Sequence, residues 1–274
     1  MASVDRPARA RLEARLEAAV EANRFTIAVV FPTLGAVTLL ASAEGLLPAP
    51  LSFSPVLLLF GVAVMRLPLL AGLAPVVTRP AAVGLALLCG YTYAIEFVGV
   101  RTGYPYGAFE YGVDLGPMVG GIPAALPLFF LPLVVNAYLL SLLLFGDAAR
   151  RALVRVPVVV AAVVGMDLVL DPAAVSVGFW AYDAGGAYYG VPPMNYAGWV
   201  LSAVVSVVVV DRILDRTAVL RRLDACGFML DDLVSFVILW GGINLYFGNW
   251  VPVALAAAYG YGLWRTDRFD FPER

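Results

Sequence analysis

Residues 122–145 read IPAALPLFFLPLVVNAYLLSLLLF, a run of 24 residues without a charged side chain. A helix needs roughly 20 mostly apolar residues to cross the hydrocarbon core of a bilayer, so this stretch predicts a membrane-spanning helix. The whole chain has a similar composition: 62% of its 274 residues are hydrophobic, 14% are charged, and the mean hydropathy is +0.87. A soluble domain is about 45–50% apolar and about 25% charged, which excludes a soluble enzyme, a nucleic-acid-binding protein and a disordered chain.

Seven further stretches have the same character and bring the expected number of spans to eight. The last two are short and meet at Gly248–Asn249, so they are also compatible with a hairpin that dips into the bilayer, which would leave seven or six full spans. The expected fold is an all-α, polytopic membrane bundle that forms a single domain over residues 24–265. The eight stretches are residues 25–43, 54–75, 80–98, 122–145, 154–171, 194–211, 232–247 and 249–264.

All 18 basic residues are arginine, and their positions orient the expected bundle. With the N-terminus placed inside, 16 of them fall in inner segments, Arg101 falls outside, and Arg66 lies within the second span. Positive charge collects on the cytoplasmic side of membrane proteins, so we expect a cell-membrane protein with both termini cytoplasmic. Residues 1–23 are expected to form an amphipathic helix on the membrane surface or a solvated charged segment, and residues 266–274 a cytoplasmic tail.

Absent residue types limit the chemistry that the chain can perform. It contains neither histidine nor lysine, which excludes a histidine base, a histidine-bound metal and a lysine Schiff base. Cys89 and Cys226 lie in different settings, which predicts neither a disulfide nor a metal site. Any chemistry must therefore come from carboxyl, arginine, tyrosine, amide and hydroxyl groups.

Two long segments on the expected outer side are rich in glycine, proline and aromatic residues. Residues 99–121 read GVRTGYPYGAFEYGVDLGPMVGG, and residues 172–193 read PAAVSVGFWAYDAGGAYYGVPP. Glycine and proline set tight turns, and long ordered loops are usually functional, so the density of aromatic side chains favours a lid or pocket rim over an interfacial belt. Each segment follows a helix that ends in a carboxylate and precedes a Gly-X-Pro helix entry, which is compatible with an internal repeat or with chance similarity.

Three carboxylates lie within predicted spans or at their outer ends. Charged residues inside a membrane are costly and often functional, so Glu96, Asp167 and Asp171 are the candidate catalytic residues. Asp167 and Asp171 are spaced i,i+4 on one helix face, where two close carboxylates would not both stay ionised and one would hold a proton at neutral pH. The alternatives are a helix-ending Asp-Pro step at Asp171 and, for Glu96 or Asp167, a structural hydrogen bond or an ion pair, for example with Arg66 or Arg101. Arg66 is also able to extend towards the inner membrane surface.

The spacing Asp-x-x-x-Asp recurs at Asp211 and Asp215. Two such pairs are typical of a magnesium-dependent enzyme that acts on a diphosphate, such as a UbiA-like prenyltransferase or a lycopene elongase. The predicted topology argues against this alternative, because the first pair lies at the outer end of span five and the second at the inner end of span six. Asp211, Asp215, Asp231 and Asp232 are interpreted as charges of the solvated inner surface.

Buried acids, aromatic rings and a pocket that opens to lipid suit the acid-catalysed addition of water to an isolated double bond. A protonated carboxyl group would deliver a proton to the alkene, and π faces and a carboxylate would stabilise the resulting tertiary cation. A held water would then attack the cation. A lipid-soluble polyene is the natural substrate for such a site.

The two outer segments and the helices around them also carry recognisable motifs. The motifs are Glu96-x-x-Gly99-x-x-Thr102-Gly103-Tyr104-Pro105-Tyr106-Gly107, Leu115-Gly116-Pro117 followed by Gly121-Ile122-Pro123, Leu170-Asp171-Pro172, Gly185-Gly186-x-Tyr188-Tyr189-Gly190-Val191-Pro192, and Asn195-x-x-Gly198-Trp199. Together they resemble the CruF-type carotenoid hydratases, and particularly the haloarchaeal members. The resemblance is specific over residues 91–200 and elsewhere rests on hydropathy and helix count. Tyr104 and Tyr106 stand where phenylalanine is expected in many relatives.

The resemblance implies a hydro-lyase of carotenoid biosynthesis that adds water to the terminal isopropylidene double bonds of a C50 carotenoid, converting bisanhydrobacterioruberin to bacterioruberin. It implies no cofactor and no metal, and the expected partners are the carotenoid and membrane lipid, with no nucleic acid. The roles of Glu96, Asp167 and Asp171 are inferred from depth and chemistry alone. The residues expected to bind substrate are Tyr93, Arg101, Tyr104, Tyr106, Trp180, Tyr188, Tyr189 and Asn195. A non-catalytic carotenoid-binding or transport protein is the alternative from another functional class.

Overall fold

The computed structural model describes residues 5–269, so the outermost parts of the expected cytoplasmic ends, residues 1–4 and 270–274, lie outside it. The expected all-α bundle is confirmed. Its helices are α1 (Asp5–Ala22), α2 (Phe31–Ala43), α3 (Pro55–Leu73), α4 (Arg79–Thr102), α5 (Leu126–Phe145), α6 (Ala152–Ser176), α7 (Pro193–Ile213), α8 (Arg216–Ala225), α9 (Asp231–Phe247) and α10 (Trp250–Arg265). Shorter helical turns adjoin α2, α3, α5 and α9; they are Thr26–Val30, Ala74–Val76, Gly146–Arg150 and Gly227–Leu230.

Four short strands lie in the two long connections. They are β1 (Phe109–Tyr111), β2 (Met118–Val119), β3 (Ile122–Pro123) and β4 (Trp180–Tyr182). β2 and β3 form an antiparallel hairpin before α5, whereas β1 pairs with β4 from the other connection. The two aromatic-rich segments are therefore joined to each other as well as to their own helices.

The described residues contain seven helical segments that are long and apolar enough to cross a membrane, built on α2 to α7 and α9. The eighth predicted span corresponds to α10, whose 16 residues extend about 24 Å, less than the roughly 30 Å hydrocarbon core. Gly248 follows α9 in the left-handed conformation (φ 72°), and the chain then turns into α10, which packs against α9. The last two predicted spans are thus one full-length helix and a shorter helix folded back on it.

The apolar stretch that predicts the fold lies at the centre of the bundle. Every residue from 132 to 142 of α5 is buried, so the helix is covered on all sides. α6 packs against α5, α7, α9 and α10 and completes the core. The site lies at one end of the bundle, where the C-terminal ends of α4 and α6 meet the N-terminal end of α7.

Arg66 on α3 is held inside the bundle by α5 and α9. Pro132 has no amide hydrogen, so it leaves the carbonyl of Leu128 without its helical partner, and Arg66 Nε donates to that oxygen at 3.0 Å. Arg66 Nη1 forms an ion pair with Asp232, whose other oxygen accepts from Asn136. The arginine therefore neither extends to the membrane surface nor pairs with a candidate catalytic acid.

The interpretation of Asp211, Asp231 and Asp232 as solvated surface charges is wrong. Asp231 and Asp232 are fully buried, and Asp231 pairs with Arg24 at 2.9 Å. Asp211 accepts from two nitrogens of Arg155 at 2.5 and 2.7 Å, and its side chain is only 13% exposed. An arginine on a neighbouring helix neutralises each aspartate, which makes burial of the charge possible.

Helix α1 lies against the end of the bundle. Arg9 donates to the carbonyls of Ala74 and Val77, which lie between α3 and α4, at 2.8 and 3.1 Å. Glu17 pairs with Arg222 on α8 at 2.9 Å. These contacts join the N-terminal helix to the same face of the bundle as the connections before α4 and before α9.

Candidate functional site

The two aromatic-rich segments meet in an antiparallel ribbon that covers a cavity. β1 pairs with β4 so that Phe109 lies opposite Tyr182 and Tyr111 lies opposite Trp180. Side chains alternate along a strand, so these four aromatic residues share one face, while the middle residue of each strand is exposed on the other. All four line the same cavity. The ribbon therefore forms a lid, as the density of aromatic residues predicts.

Each helix that ends at the lid carries a carboxylate bound by a tyrosine of the strand that follows it. Tyr111 donates to Glu96 Oε1 of α4 at 2.6 Å, and Tyr182 donates to Asp171 Oδ2 of α6 at 3.1 Å. Burial, together with the nearby carboxylate, raises the pKa of both tyrosines well above the ordinary value, so both hydroxyls stay protonated and donate. The two halves share one plan of helix, carboxylate, strand and tyrosine, which favours an internal repeat over chance similarity.

Asn195, at the start of α7, bridges the two aspartates of α6. Its Nδ2 donates to Asp171 Oδ2 and, at 3.3 Å, to Asp167 Oδ2. Asp167 is fully buried, and its Oδ1 has no hydrogen-bond partner among the described residues. In the part of the chain that the structure describes, no arginine forms an ion pair with either aspartate. Burying an unpartnered carboxylate oxygen is costly, so this environment favours a proton on the pair of aspartates that Asn195 bridges.

Tyr106 reaches the cavity through a gap between two glycines. A Cβ atom at Gly198 of α7 would lie 2.5 Å from Cδ1 of the ring, and one at Gly99 of α4 would lie 3.2 Å from Cδ2. The Tyr106 hydroxyl is hydrogen-bonded to Ser202 Oγ at 2.7 Å. Gly99 lies three positions after Glu96, and Gly198 lies three positions after Asn195. Residues three positions apart share a helix face, so each glycine lies beside a polar site residue. The motif glycines thus seat this ring beside the polar groups.

The cavity encloses about 900 Å³, counting its open mouth. Ten of its 20 lining residues are aromatic, and among the described lining residues Glu96 and Asp171 are the two with carboxyl groups. Phe130 of α5 stacks on Trp199 of α7 with ring centroids 5.2 Å apart. Aromatic faces attract a nearby cation, so the cavity combines proton-transfer groups with surfaces that stabilise a carbocation.

The structure brings six of the predicted site residues together. Those that line the cavity are Glu96, Asp171, Tyr106, Trp180 and Asn195. Asp167 lies behind them and reaches the cavity only through its contact with Asn195. Their roles in catalysis and binding stay predictions.

Tyr93, Arg101 and Tyr104 lie outside the cavity lining. Tyr93 donates to the carbonyl of Ala124 and so ties α4 to the entry of α5. The Arg101 guanidinium lies 3.4 Å from the ring centroid of Phe97, and Tyr104 is 63% exposed. Aromatic residues in such loops look alike in the sequence whether they face the membrane interface or the cavity. The spacing of these residues therefore does not predict which of them line the cavity.

Tyr188 and Tyr189 also lie outside the cavity lining and hold the second connection in place. Pro172 leaves the carbonyl of Leu168 free within α6, and the Tyr188 hydroxyl donates to it at 3.2 Å. The Tyr189 oxygen accepts from the amide of Val251 at 3.2 Å. Burial raises the pKa of Tyr188 to about 12, which keeps its hydroxyl protonated. Both residues thus anchor the lid to neighbouring helices.

Fifteen of the 20 lining residues are missing from the predicted site, among them Phe109, Tyr111, Tyr182 and Trp199. A usable signal was present for the first three, because the triplets FEY and WAY place aromatic residues two positions apart, which is the period of a strand. Trp199 is part of the last motif, where it follows the helix glycine. Neither triplet alone predicts that the two strands pair with each other.

The two Asp-x-x-x-Asp pairs do not form one site. Asp211 of α7 contacts Arg155 near the start of α6. Asp167 lies 12 residues after Arg155 on α6, which is about 18 Å along the helix axis. Within residues 5–269, no cluster of three or more acidic or cysteine side chains is suited to hold a metal ion. This geometry does not fit a shared diphosphate.

The chain matches a known protein family and a named relative. A family model described as "Carotenoid biosynthesis protein" matches residues 53–263. The chain is 61% identical over 259 residues to the bisanhydrobacterioruberin hydratase of Haloarcula japonica, which covers 94% of this chain and 88% of that protein. No solved structure matches.

Proposed function

Because the chain belongs to the carotenoid biosynthesis protein family, we propose that it is a hydratase acting on bisanhydrobacterioruberin, the compound in the name of its Haloarcula relative. The family match confirms the resemblance found in the motifs. The structural observation that carries the proposal is that Glu96 and Asp171 face one aromatic cavity inside a membrane bundle. Such a site suits water addition to a terminal isopropylidene bond of a C50 carotenoid, with bacterioruberin as the final product.

In the proposed reaction, the Asp171 carboxyl group transfers its proton to the CH carbon of the terminal double bond. The positive charge then rests on the neighbouring carbon, which carries two methyl groups and faces rings such as Trp180 and Trp199. A water molecule attacks this carbon and releases a proton to the Glu96 carboxylate, which yields a tertiary alcohol. Proton exchange between the two acids through water restores the starting state, so the net change is one water added to one double bond.

Asp167 has a positioning role in this proposal. It does not line the cavity, but it shares the Asn195 amide with Asp171. Two buried carboxyl groups without an arginine partner are more stable with a proton between them than with two negative charges. Asp171 is the member of the pair whose proton has access to the substrate.

The proposed orientation places both ends of the chain in the cytoplasm and the lid on the outer side of the cell membrane. The two described ends lie on one side, because Glu17 of α1 contacts Arg222, and Arg268 donates to the nearby carbonyl of Cys226 at 3.2 Å. Most arginines cluster at that end, as the distribution of positive charge in membrane proteins favours.

Expression in a host that makes the anhydro carotenoid tests the proposal. The wild-type protein is expected to yield pigment heavier by one or two waters in mass spectra. Asp171→Asn and Glu96→Gln are each expected to lower the rate at least about 100-fold, the usual contribution of a general acid or base. Glu110→Gln is the matched control, because this acid lies in the same ribbon but is exposed on the face away from the cavity.

The outcomes separate the alternatives. Unchanged pigment with the wild-type protein would overturn the hydratase, and pigment that co-purifies unchanged with all variants would favour a carotenoid-binding protein. Conversion that requires magnesium and an allylic diphosphate would favour a prenyltransferase. Full activity in both acid variants would refute the roles given to these residues while leaving the hydratase intact.

A further inference from the structure

A second apolar groove lies beside the cavity, between α2 and α3. It encloses about 1090 Å³, counting its open side, and it shares Leu115, Phe129, Phe179 and Trp240 with the cavity lining. The two spaces are therefore neighbours, and these four side chains lie where they adjoin. The catalytic chemistry described above uses none of the residues that belong to the groove alone.

The lining of the groove is mostly apolar; its polar members are Thr38, Ser42 and Ser54. Its two polar residues on α2 are satisfied within their own helix, since Thr38 donates to the Leu34 carbonyl at 2.7 Å and Ser42 donates to the Thr38 carbonyl at 2.8 Å. No charged residue is among the described lining residues. Leu34 and Phe60 at its rim are 59% and 58% exposed, which opens the groove towards the membrane.

We propose that this groove binds the polyene chain of the same carotenoid molecule whose end group occupies the cavity. The inference rests on the proposed function and adds a second part to its binding site. Conjugated double bonds resist rotation, so the chain is a stiff rod that cannot coil within the cavity beside its own end group. It must leave by an apolar opening, and the groove adjoins the cavity at the four shared side chains.

The junction between the two spaces suits a conjugated chain. Phe179 directly precedes β4 of the lid and meets Trp240 of α9 edge to face, with centroids 6.2 Å apart. Phe53, which belongs to the groove, also packs edge to face against Phe179, with ring centroids 6.1 Å apart. A row of aromatic rings thus runs from the lid into the groove, and such rings pack favourably against a flat π system.

Gly61 offers a way to block the groove without touching the cavity. It lines the groove on α3, and a Cβ atom added there would have no neighbour within 4 Å, so a phenylalanine would extend into open space. Gly90 on α4 is the matched control, since it is also helical, also has open space at Cβ and lies outside both linings. Gly61→Leu provides a smaller obstruction if the phenylalanine variant folds poorly.

Two readouts test the proposal. In kinetics with the carotenoid, Gly61→Phe is expected to raise KM about tenfold with kcat nearly unchanged, Gly61→Leu to raise it less, and Gly90→Phe to leave both constants at wild-type values. In the inactive Asp171→Asn background, Gly61→Phe is expected to reduce the carotenoid that co-purifies with the protein about tenfold relative to Gly90→Phe.

The result that overturns the proposal is equal behaviour of the folded Gly61 and Gly90 variants in both readouts. A loss of co-purified phospholipid with unchanged carotenoid would also overturn it and would identify the groove as a lipid site. A further outcome is that the wild-type protein retains pigment without hydrating it, whereas the Gly61→Phe variant does not retain pigment. This result would refute the proposed function and support the groove as a binding site.

Discussion

Replacing Gly198 by alanine tests the seating of Tyr106 between two helices. The added Cβ atom would lie 2.5 Å from the tyrosine ring and 2.8 Å from the carbonyl oxygen of Pro105, distances at which the atoms overlap. The carbonyl is part of the backbone, so the ring and its loop must move together. Overpacking of this kind costs about 1–3 kcal/mol, and the movement also breaks the hydrogen bond to Ser202, which contributes about 1 kcal/mol.

Gly198→Ala is informative because it is expected to lower stability, whereas a helical glycine-to-alanine substitution usually raises it. In a helix without a steric conflict, alanine is more favourable than glycine by up to about 1 kcal/mol, and Gly90→Ala provides that case because its Cβ meets nothing within 4 Å. In thermal unfolding followed by circular dichroism in detergent, Gly198→Ala is expected to lower the midpoint by roughly 2–4 °C for each kcal/mol lost. Its kcat/KM is expected to fall as well, because Tyr106 lines the cavity. Equal midpoints for the two alanine variants would refute the packing argument.

Two further predictions concern stability. Arg66→Leu leaves Asp232 buried without its cation and is expected to cost about 3–5 kcal/mol, whereas the double variant with Asp232→Leu is expected to cost less. Unfolding midpoints of the three proteins measure this, and a double variant as unstable as the single one would contradict it. Stability is also expected to fall as the pH rises from about 10 to about 12, because burial raises the pKa of Tyr188 to about 12 while the unfolded residue titrates near 10. Tyr188→Phe is expected to reduce this fall in midpoints measured across that range, and an unchanged slope would count against the explanation.

The helices and the candidate acids were predictable because burial in a membrane leaves a direct mark on composition. A long apolar run has few alternatives to a spanning helix, and a carboxylate inside such a run is conspicuous. The i,i+4 spacing of Asp167 and Asp171 placed both on one face, and α6 does present both to Asn195. Only the eighth span differed, because α10 is shorter than the hydrophobic core it was expected to cross.

The contacts between distant segments were not predictable from the same signals. The pairing of β1 with β4 joins residues about 70 positions apart, and neither triplet contains information about its partner. The partner of Arg66 was equally hidden, because an arginine within a span gives no indication of which of several aspartates its helix will meet. Its second contact depends on the carbonyl that Pro132 leaves free, a feature that acts only once α3 and α5 lie together.

The structure separates six buried or half-buried carboxylates of this bundle into two groups. Members of the first group each pair with an arginine from another helix; they are Asp211, Asp231 and Asp232. Members of the second group are bound by neutral tyrosine and asparagine donors, with no ion pair to any arginine among the described residues; they are Glu96, Asp167 and Asp171.

This difference in counter-charge has a chemical consequence. An ionised carboxylate beside arginine is stabilised as the anion and holds helices together, but it has no proton to give. A buried carboxyl group with only neutral donors is less costly in its protonated form. Glu96 and Asp171 line the aromatic cavity, and Asp167 reaches it through Asn195. Depth in the membrane alone would place both groups among the candidates for proton transfer. The absence of a neutralising arginine at the second group, rather than depth, marks the carboxyl groups that suit proton transfer; in the proposed reaction Asp171 gives a proton and Glu96 receives one.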